Sequence, residues 1–244
     1  LVDIDILGKA LWAYHSHGEE VEISVSSTVS DAEVIPASYF FRNYQKMNIL
    51  EQLTMDLCRG RVLDLGAGAG CHSLYLQHDG FEVISLEQSA QLCRLMDDQG
   101  VKHIVNKRLE NFTDAEKFDT IIALMNGIGI AGSLDGLESF LSQLVALLRP
   151  GGQIIIDSSD ISHMYFDDDG VMHLDLQNGR VGEIVYRLEL DDEFSEFPWV
   201  FPDFDFLKET CDALALSCER LMDLEESFLV RISPHQPENH ASSL

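Results

Sequence analysis

The apolar positions of this chain change period several times. Over residues 4–14 they fall at Ile6, Leu7, Ala10, Leu11 and Tyr14, the spacing of a helix with one buried face. Val21, Ile23 and Val25 then alternate up to Val29, which reads as an edge strand or an extended linker. Pro36 breaks that pattern, and Tyr39, Phe40 and Phe41 make the next stretch aromatic. Helical spacing returns over roughly 43–57, with Met47, Leu50, Leu53, Met55 and Leu57 turned inward. From residue 61 short apolar runs at 62–65, 81–86, 102–106, 120–125 and 153–157 alternate with helical stretches near 70–78, 89–98 and 134–148. Such alternation predicts an α/β fold, a doubly wound and mostly parallel sheet with helices on both faces.

The C-terminal third departs from the alternation. Residues 203–216 read as a helix, and 217–224 with 227–232 as two strands paired antiparallel at the sheet edge. About 45 residues, 158–202, separate that helix from the strand before it, too many for a connection. They contain the alternating stretch 172–176, the turn Gln177-Asn178-Gly179, a second alternating stretch at 181–190 and an aromatic segment at 194–204 that includes Trp199. Asn-Gly between alternating runs predicts a hairpin. The segment therefore reads as an inserted β-ribbon, serving as a substrate lid or a dimer surface. Three regions result: an N-terminal helical lid segment (1–57), a ligand-binding domain (58–232) and a polar tail (233–244) expected to be disordered.

The candidate chemistry gathers after the first strand of the alternating part. Val62-Leu63-Asp64-Leu65 runs into Gly66-Ala67-Gly68-Ala69-Gly70 and then a helix start at Cys71. A turn this tight and this free of bulk predicts bare backbone amides at one point and a ligand resting on the main chain. Glu87 closes the next strand, at the offset from which an acid accepts hydrogen bonds from ribose hydroxyls. A nucleoside-bearing cofactor is the expectation. Cys71 stands where the dinucleotide fingerprint needs a small residue, which argues against a pyrophosphate. Asp64 is a buried acid in need of partners. It either accepts amides of the glycine loop or helps to place a cationic ligand.

Arg61 to Leu76, RVLDLGAGAGCHSLYL, resembles the first motif of the class I S-adenosylmethionine-dependent methyltransferases, and Leu148-Arg149-Pro150-Gly151-Gly152 resembles that family's entry into its fifth strand. The resemblance spans roughly residues 40–232. It implies a seven-stranded Rossmann-like sheet with an antiparallel C-terminal edge, and S-adenosylmethionine as cofactor. It also implies that Gly66, Ala67 and Gly68 meet the amino-acid part of the donor, that Glu87 holds the ribose and that Gln88 lies beside the adenine. Arg108 stands where the family usually has an adenine-binding acid, which leaves Leu109 and Glu110 to serve that base. Met125 and Asn126, at the tip of the fourth strand, are expected to face the donor. Tyr39 and Arg42 are placed to reach the donor's carboxylate end, or to pack and be solvated. Asp157, Asp160, Tyr165 and Trp199 are candidate substrate contacts, and His163, with Asn126, a candidate for the catalytic step.

Charge narrows the partners. Lys and Arg total 16 against 42 Asp and Glu, a formal charge of -26, which repels nucleic acid and anionic membranes. Five scattered cysteines without C-x-x-C suit reduced thiols in a cytoplasmic protein. No signal peptide, membrane-length apolar run or metal-ligand spacing is legible. The sequence thus predicts a metal-independent methyltransferase acting on a small molecule. Its rivals are a non-catalytic donor-binding sensor, an aminopropyl transferase and a nicotinamide oxidoreductase. Asn126-Gly127 lacks the acid that aminopropyl transfer requires at this tip.

Overall fold

The computed structural model describes residues 4–166, 171 and 180–235. The N-terminal part is α1 (Ile6–His17), β1 (Glu22–Ser27), β2 (Ser30–Pro36), two 3₁₀ turns (Ala37–Phe41 and Tyr44–Lys46) and α2 (Ile49–Leu57). Strand and helix then alternate through β3 (Arg61–Leu65), α3 (Cys71–His78), β4 (Glu82–Glu87), α4 (Ala90–Asp98) and β5 (Ile104–Asn106). β6 (Phe118–Ala123), α5 (Leu137–Leu147) and β7 (Leu148–Ser159) continue the pattern. After β8 (Glu183–Leu190) and β9 (Glu193–Val200) come α6 (Phe204–Ala213), β10 (Leu216–Leu224) and β11 (Ser227–Pro234).

The main sheet has seven strands in the order β10-β11-β7-β6-β3-β4-β5. β3, β4, β5, β6 and β7 pair in parallel, and β11 runs antiparallel to both β7 and β10. Leu63, Leu86, Ile121 and Ile156 face one core with α5 and α6, while Val62, Val83, Ile122 and Ile155 face the other with α2 and α3. Burial on both faces explains why these strands read as apolar runs without alternation. The chain leaves β3 toward β4 and β5 on one side and returns to β6 and β7 on the other. The crevice at the carboxyl ends of β3 and β6 is therefore the topological switch point, where open sheets of this kind bind ligands.

A second sheet, β2-β1-β8-β9, lies outside the first. The alternating stretch near residue 21 is thus one arm of a hairpin, and the N-terminal segment is not only helical. β1 pairs with β8 across more than 150 positions, Ser24 opposite Glu189 and Ser27 opposite Tyr186. Nothing local encodes such a pairing. The ribbon also turns elsewhere than expected: β8 and β9 pair antiparallel around Asp191 and Asp192, with Asp191 left-handed at φ 54°. An aspartate tolerates that conformation without announcing it as glycine does. The expected turn at Gln177-Asn178-Gly179 lies outside the described residues.

Three boundaries move for local reasons. The helix expected from residue 43 begins at Ile49, because Asn48 and Glu51 form a reciprocal capping box. The Arg149-Pro150-Gly151-Gly152 stretch is a bulge inside β7: Leu148 pairs with Phe118 but Gln153 pairs with Thr120. Ser233 and Pro234, expected in a disordered tail, extend β11 opposite Ser217 and Leu216; residues 236–244 lie outside the described part. Among the described residues no helix is long and apolar enough to cross a membrane.

Candidate functional site

The glycine turn leaves β3 with Gly66, Gly68 and Gly70 all in the left-handed region, at φ 70°, 57° and 82°. A side chain at Gly68 would meet nothing closer than the Gly66 carbonyl at 3.9 Å, so the space above the turn is open. The expectation of bare amides is corrected here. Gly66 and Ala67 both donate to the Leu86 carbonyl, at 2.9 and 3.3 Å, and Gly70 donates to Ala67. Gly68 donates to Glu87 Oε2 at 3.0 Å. Folding the turn against β4 engages the amides of Gly66, Ala67, Gly68 and Gly70 but not that of Ala69, and leaves the Gly66 and Gly68 carbonyls without a donor among the described residues. Such a turn suits a cationic or hydroxyl-bearing ligand better than a pyrophosphate.

Glu87 is 7 % exposed at the end of β4. Its other oxygen accepts the Ser89 amide at 2.8 Å. Each carboxylate oxygen thus keeps a lone pair for a ligand hydroxyl. Burial pushes the carboxyl above its ordinary pKa, against the pull of those backbone donors. The Ser89 hydroxyl donates to Asp5, the N-cap of α1, which ties the N-terminal helix to the rim of the site. Gln88, Arg108 and Glu110 are exposed and Leu109 is buried. Asn106, which the sequence reading passed over, joins β5 to β4 by donating to the carbonyls of Glu87 and Gln88 at 3.0 and 2.9 Å. Asp64 is 2 % exposed and accepts the Ser73 hydroxyl at 2.6 Å; Ser73 also bonds Ser85 at 2.7 Å. It fastens the start of α3, and no glycine-loop amide reaches it among the described residues.

The tip of β6 is strained. Met125 and Asn126 are both left-handed, at φ 61° and 57°. Non-glycine residues hold that conformation only where surroundings impose it. Asn126 donates its amide to Asp157 at 2.9 Å, its side-chain oxygen accepts Ser159 Oγ at 2.9 Å and its carbonyl accepts Trp199 Nε1 at 3.1 Å. The Trp199 ring covers Gly129 so closely that a Cβ there would lie 1.9–2.3 Å from it. Gly129→Ala is therefore expected to displace the indole and lower stability by about 1–3 kcal/mol. The check is thermal unfolding together with tryptophan fluorescence, which shifts red if Trp199 is expelled and stays put if the contact is unimportant.

Beside Asn126 a cavity of about 300 Å³ opens between the two sheets, with Ser159, Ile161, His163, Tyr186 and Glu226 in its wall. Tyr165 stands behind it, its hydroxyl accepting the Gly182 amide at 3.1 Å. Asp160 accepts the Ser162 amide at 2.9 Å and caps a short turn. Asp157 is buried, and its carboxyl is pushed up to about 6, chiefly by desolvation. A carboxyl raised in the folded state stabilises fully below its unfolded value near 3.8, and that contribution is lost as pH rises through about 6. Asp157→Asn is accordingly expected to raise the melting temperature by a few degrees at pH 8 and by clearly less at pH 4.5, read by calorimetry at the two pH values.

Arg42 lines a second cavity, of about 300 Å³, together with Ala69 and Cys71 at the end of the glycine turn; Tyr39 is not in its wall. Tyr39 is 45 % exposed, whereas Arg42 is buried and turns its guanidinium to Glu51, with Nε 3.1 Å from both carboxylate oxygens. Its Nη2 also donates to Glu51, and its Nη1 donates to the Tyr39 carbonyl at 2.8 Å. His72 Nε2 approaches the same Glu51 at 2.7 Å. This buried triad braces α3 against α2. The sequence shows it only as an acid and a histidine on apolar helix faces.

Comparison with known proteins places this geometry. Residues 62–152 match the family model described as a methyltransferase domain. A solved S-adenosylmethionine-dependent methyltransferase from Bacteroides fragilis, in complex with S-adenosyl-L-homocysteine, is 32% identical; the match covers 95% of each chain with a TM-score of 0.87. The glycine/sarcosine N-methyltransferase of Halorhodospira halochloris is 28% identical over 150 residues, 59% of this chain and 56% of that protein. A tRNA U34 carboxymethyltransferase from Idiomarina loihiensis is 28% identical over 113 residues, 42% of this chain and 34% of that protein. The matches thus span about half, or less, of these two curated relatives.

Proposed function

The chain belongs to the S-adenosylmethionine-dependent methyltransferases, and from that premise we propose that it methylates a small-molecule acceptor held in the cavity beside Asn126. The observation that carries the reading is the cavity's position. It lies at the carboxyl ends of β6 and β7, adjoining the switch-point crevice, and is roofed by the second sheet. About 300 Å³ suits a metabolite. The charge of -26 opposes a polynucleotide acceptor.

The donor site fits its ligand by the chemistry of its groups. The open Gly66 and Gly68 carbonyls suit an ammonium, and Glu87 keeps acceptor capacity for ribose hydroxyls. Gln88, Leu109 and Glu110 border the adenine side, and Met125 with Asn126 the side toward the cavity. When bound, S-adenosylmethionine supplies a methyl group already activated by its sulfonium. The chain's task is then to orient and to exclude water, and holding two reactants in line is worth roughly 7–11 kcal/mol. Trp199 and Tyr165 support the acceptor wall from behind, Trp199 through its bond to the Asn126 carbonyl and Tyr165 through its bond to the Gly182 amide. His163 is the group in that wall able to take a proton from the acceptor. Among the described residues no three His, Cys, Asp or Glu side chains converge as metal ligands do, and the reading needs none. The β-ribbon acts as the roof of this cavity, because it completes its sheet with the chain's own hairpin.

The test is transfer of labelled methyl to a pool of small metabolites and, in parallel, to bulk tRNA. Label in the small-molecule fraction alone is expected. Label in the tRNA, or a chain that binds donor and transfers nothing, would overturn the reading.

A further inference from the structure

We propose that the acceptor is an amine lacking carboxylate and phosphate, admitted as an ammonium between Glu226 and the rings of Tyr186 and Phe201. This rests on the reading of the cavity as the acceptor site, and it goes further by assigning the acceptor's charge.

The first support is where the positive charge lies. All sixteen Lys and Arg residues fall within the described part of the chain, and none of them lines the cavity. The arginines of the roof are engaged elsewhere. Arg180 binds Asp135 at 2.7 Å, and Arg187 binds Glu189 and Glu196 while lying over the Phe194 ring. An acceptor carboxylate or phosphate would lose its water in this cavity and meet no fixed cation, which is costly.

The second support is what does line it. Glu226 sits in the turn between β10 and β11, is exposed, and its carboxylate accepts no hydrogen bond from a described residue. Tyr186, in the same wall, stands in an aromatic cluster, its ring centroid 6.4 Å from Trp199 and 6.2 Å from Phe201. Aromatic faces with a carboxylate at the mouth form a site for a cation. Asp157 and Ser159 share one face of β7 next to Asn126, so the charge behind the wall is negative as well.

The step balances. The ammonium gives one proton to the His163 imidazole, which passes it to water. The freed nitrogen lone pair forms the N–C bond as the C–S bond breaks, and that bond's electron pair stays on sulfur. The sulfonium charge passes to the methylated nitrogen.

Matched pairs that differ by a carboxylate test the inference: phenethylamine against phenylalanine, and putrescine against ornithine. Binding is read by calorimetry with S-adenosylhomocysteine saturating, and transfer with labelled donor. At least one amine is expected to bind tenfold or more tighter than its amino acid. Glu226→Gln is expected to narrow that ratio and Glu226→Lys to reverse it; both changes lie at an exposed turn. Equal or tighter binding of the amino acids, binding of neither member of both pairs, or a ratio unmoved by both variants would overturn the proposal. Amine binding without methyl transfer would remove the acceptor reading of the cavity and leave its preference for cations standing.

Discussion

Replacing Glu51 by Gln is expected to cost about 3–5 kcal/mol of stability, the loss seen when one member of a buried ion pair is removed. Glu51 is 1 % exposed and serves Arg42, His72 and the Asn48 amide together. Burial opposes its charge, but His72 and Arg42 outweigh burial and hold its carboxyl down at about 2. His72 is likewise penalised by burial, and the neighbouring Cys71, Glu51 and Asp64 raise it to about 10. The signs give two edges. Stability from Glu51 is present above its ordinary value of 4.5 and is lost as pH falls through about 2. Stability from His72 is present below 6.5 and is lost as pH rises through about 10. Chemical denaturation at pH 7 and pH 9.5 reads the cost of the substitution and the alkaline edge of His72. The wild type should weaken between those values, and the variant should start lower and change less. Equal midpoints at pH 7 would show that the triad contributes nothing.

Removing the Glu87 side chain is expected to weaken S-adenosylhomocysteine binding by about 1.5–3 kcal/mol, roughly 10- to 150-fold, because charge-assisted hydrogen bonds are lost. The same change releases the Gly68 and Ser89 amides, so Glu87→Ala also loosens the turn. Glu87→Gln separates the two roles. It keeps one neutral acceptor but sets its NH2 against the other backbone donor, so it should lose less stability than Glu87→Ala while still losing affinity. Since burial raises the Glu87 pKa, wild-type affinity should fall on acidification earlier than for an exposed glutamate. Calorimetric titration of the three proteins checks this, and identical dissociation constants would remove Glu87 from the ribose role.

How far the sequence led depended on the range of the interactions. The parallel core was legible because β3, β4, β6 and β7 are buried on both faces, and their apolar runs need no partner to be read. Gly66, Gly68 and Glu87 were legible because positive φ and strand-end acids leave local marks. The second sheet was not, since the β1–β8 pairing joins segments far apart in the chain through ordinary residues such as Ser24 and Glu189. The left-handed Met125 and Asn126 were invisible for a related reason. Their conformation is imposed by Asp157, Ser159 and Trp199, which arrive from other elements. Arg42 was expected either to reach the donor's carboxylate end, because the N-terminal segment should cover the mouth of the site, or to be solvated; it is buried, and its pairing with Glu51, nine residues on, left no mark in the sequence.

A crystal structure with S-adenosylhomocysteine bound tests the account at its centre. The homocysteine should rest on residues 66–68, the ribose hydroxyls on Glu87, and the sulfur should face the cavity bounded by Asn126, Ser159 and Tyr186. A sulfur turned away from that cavity, or a ribose held by some group other than Glu87, would contradict it.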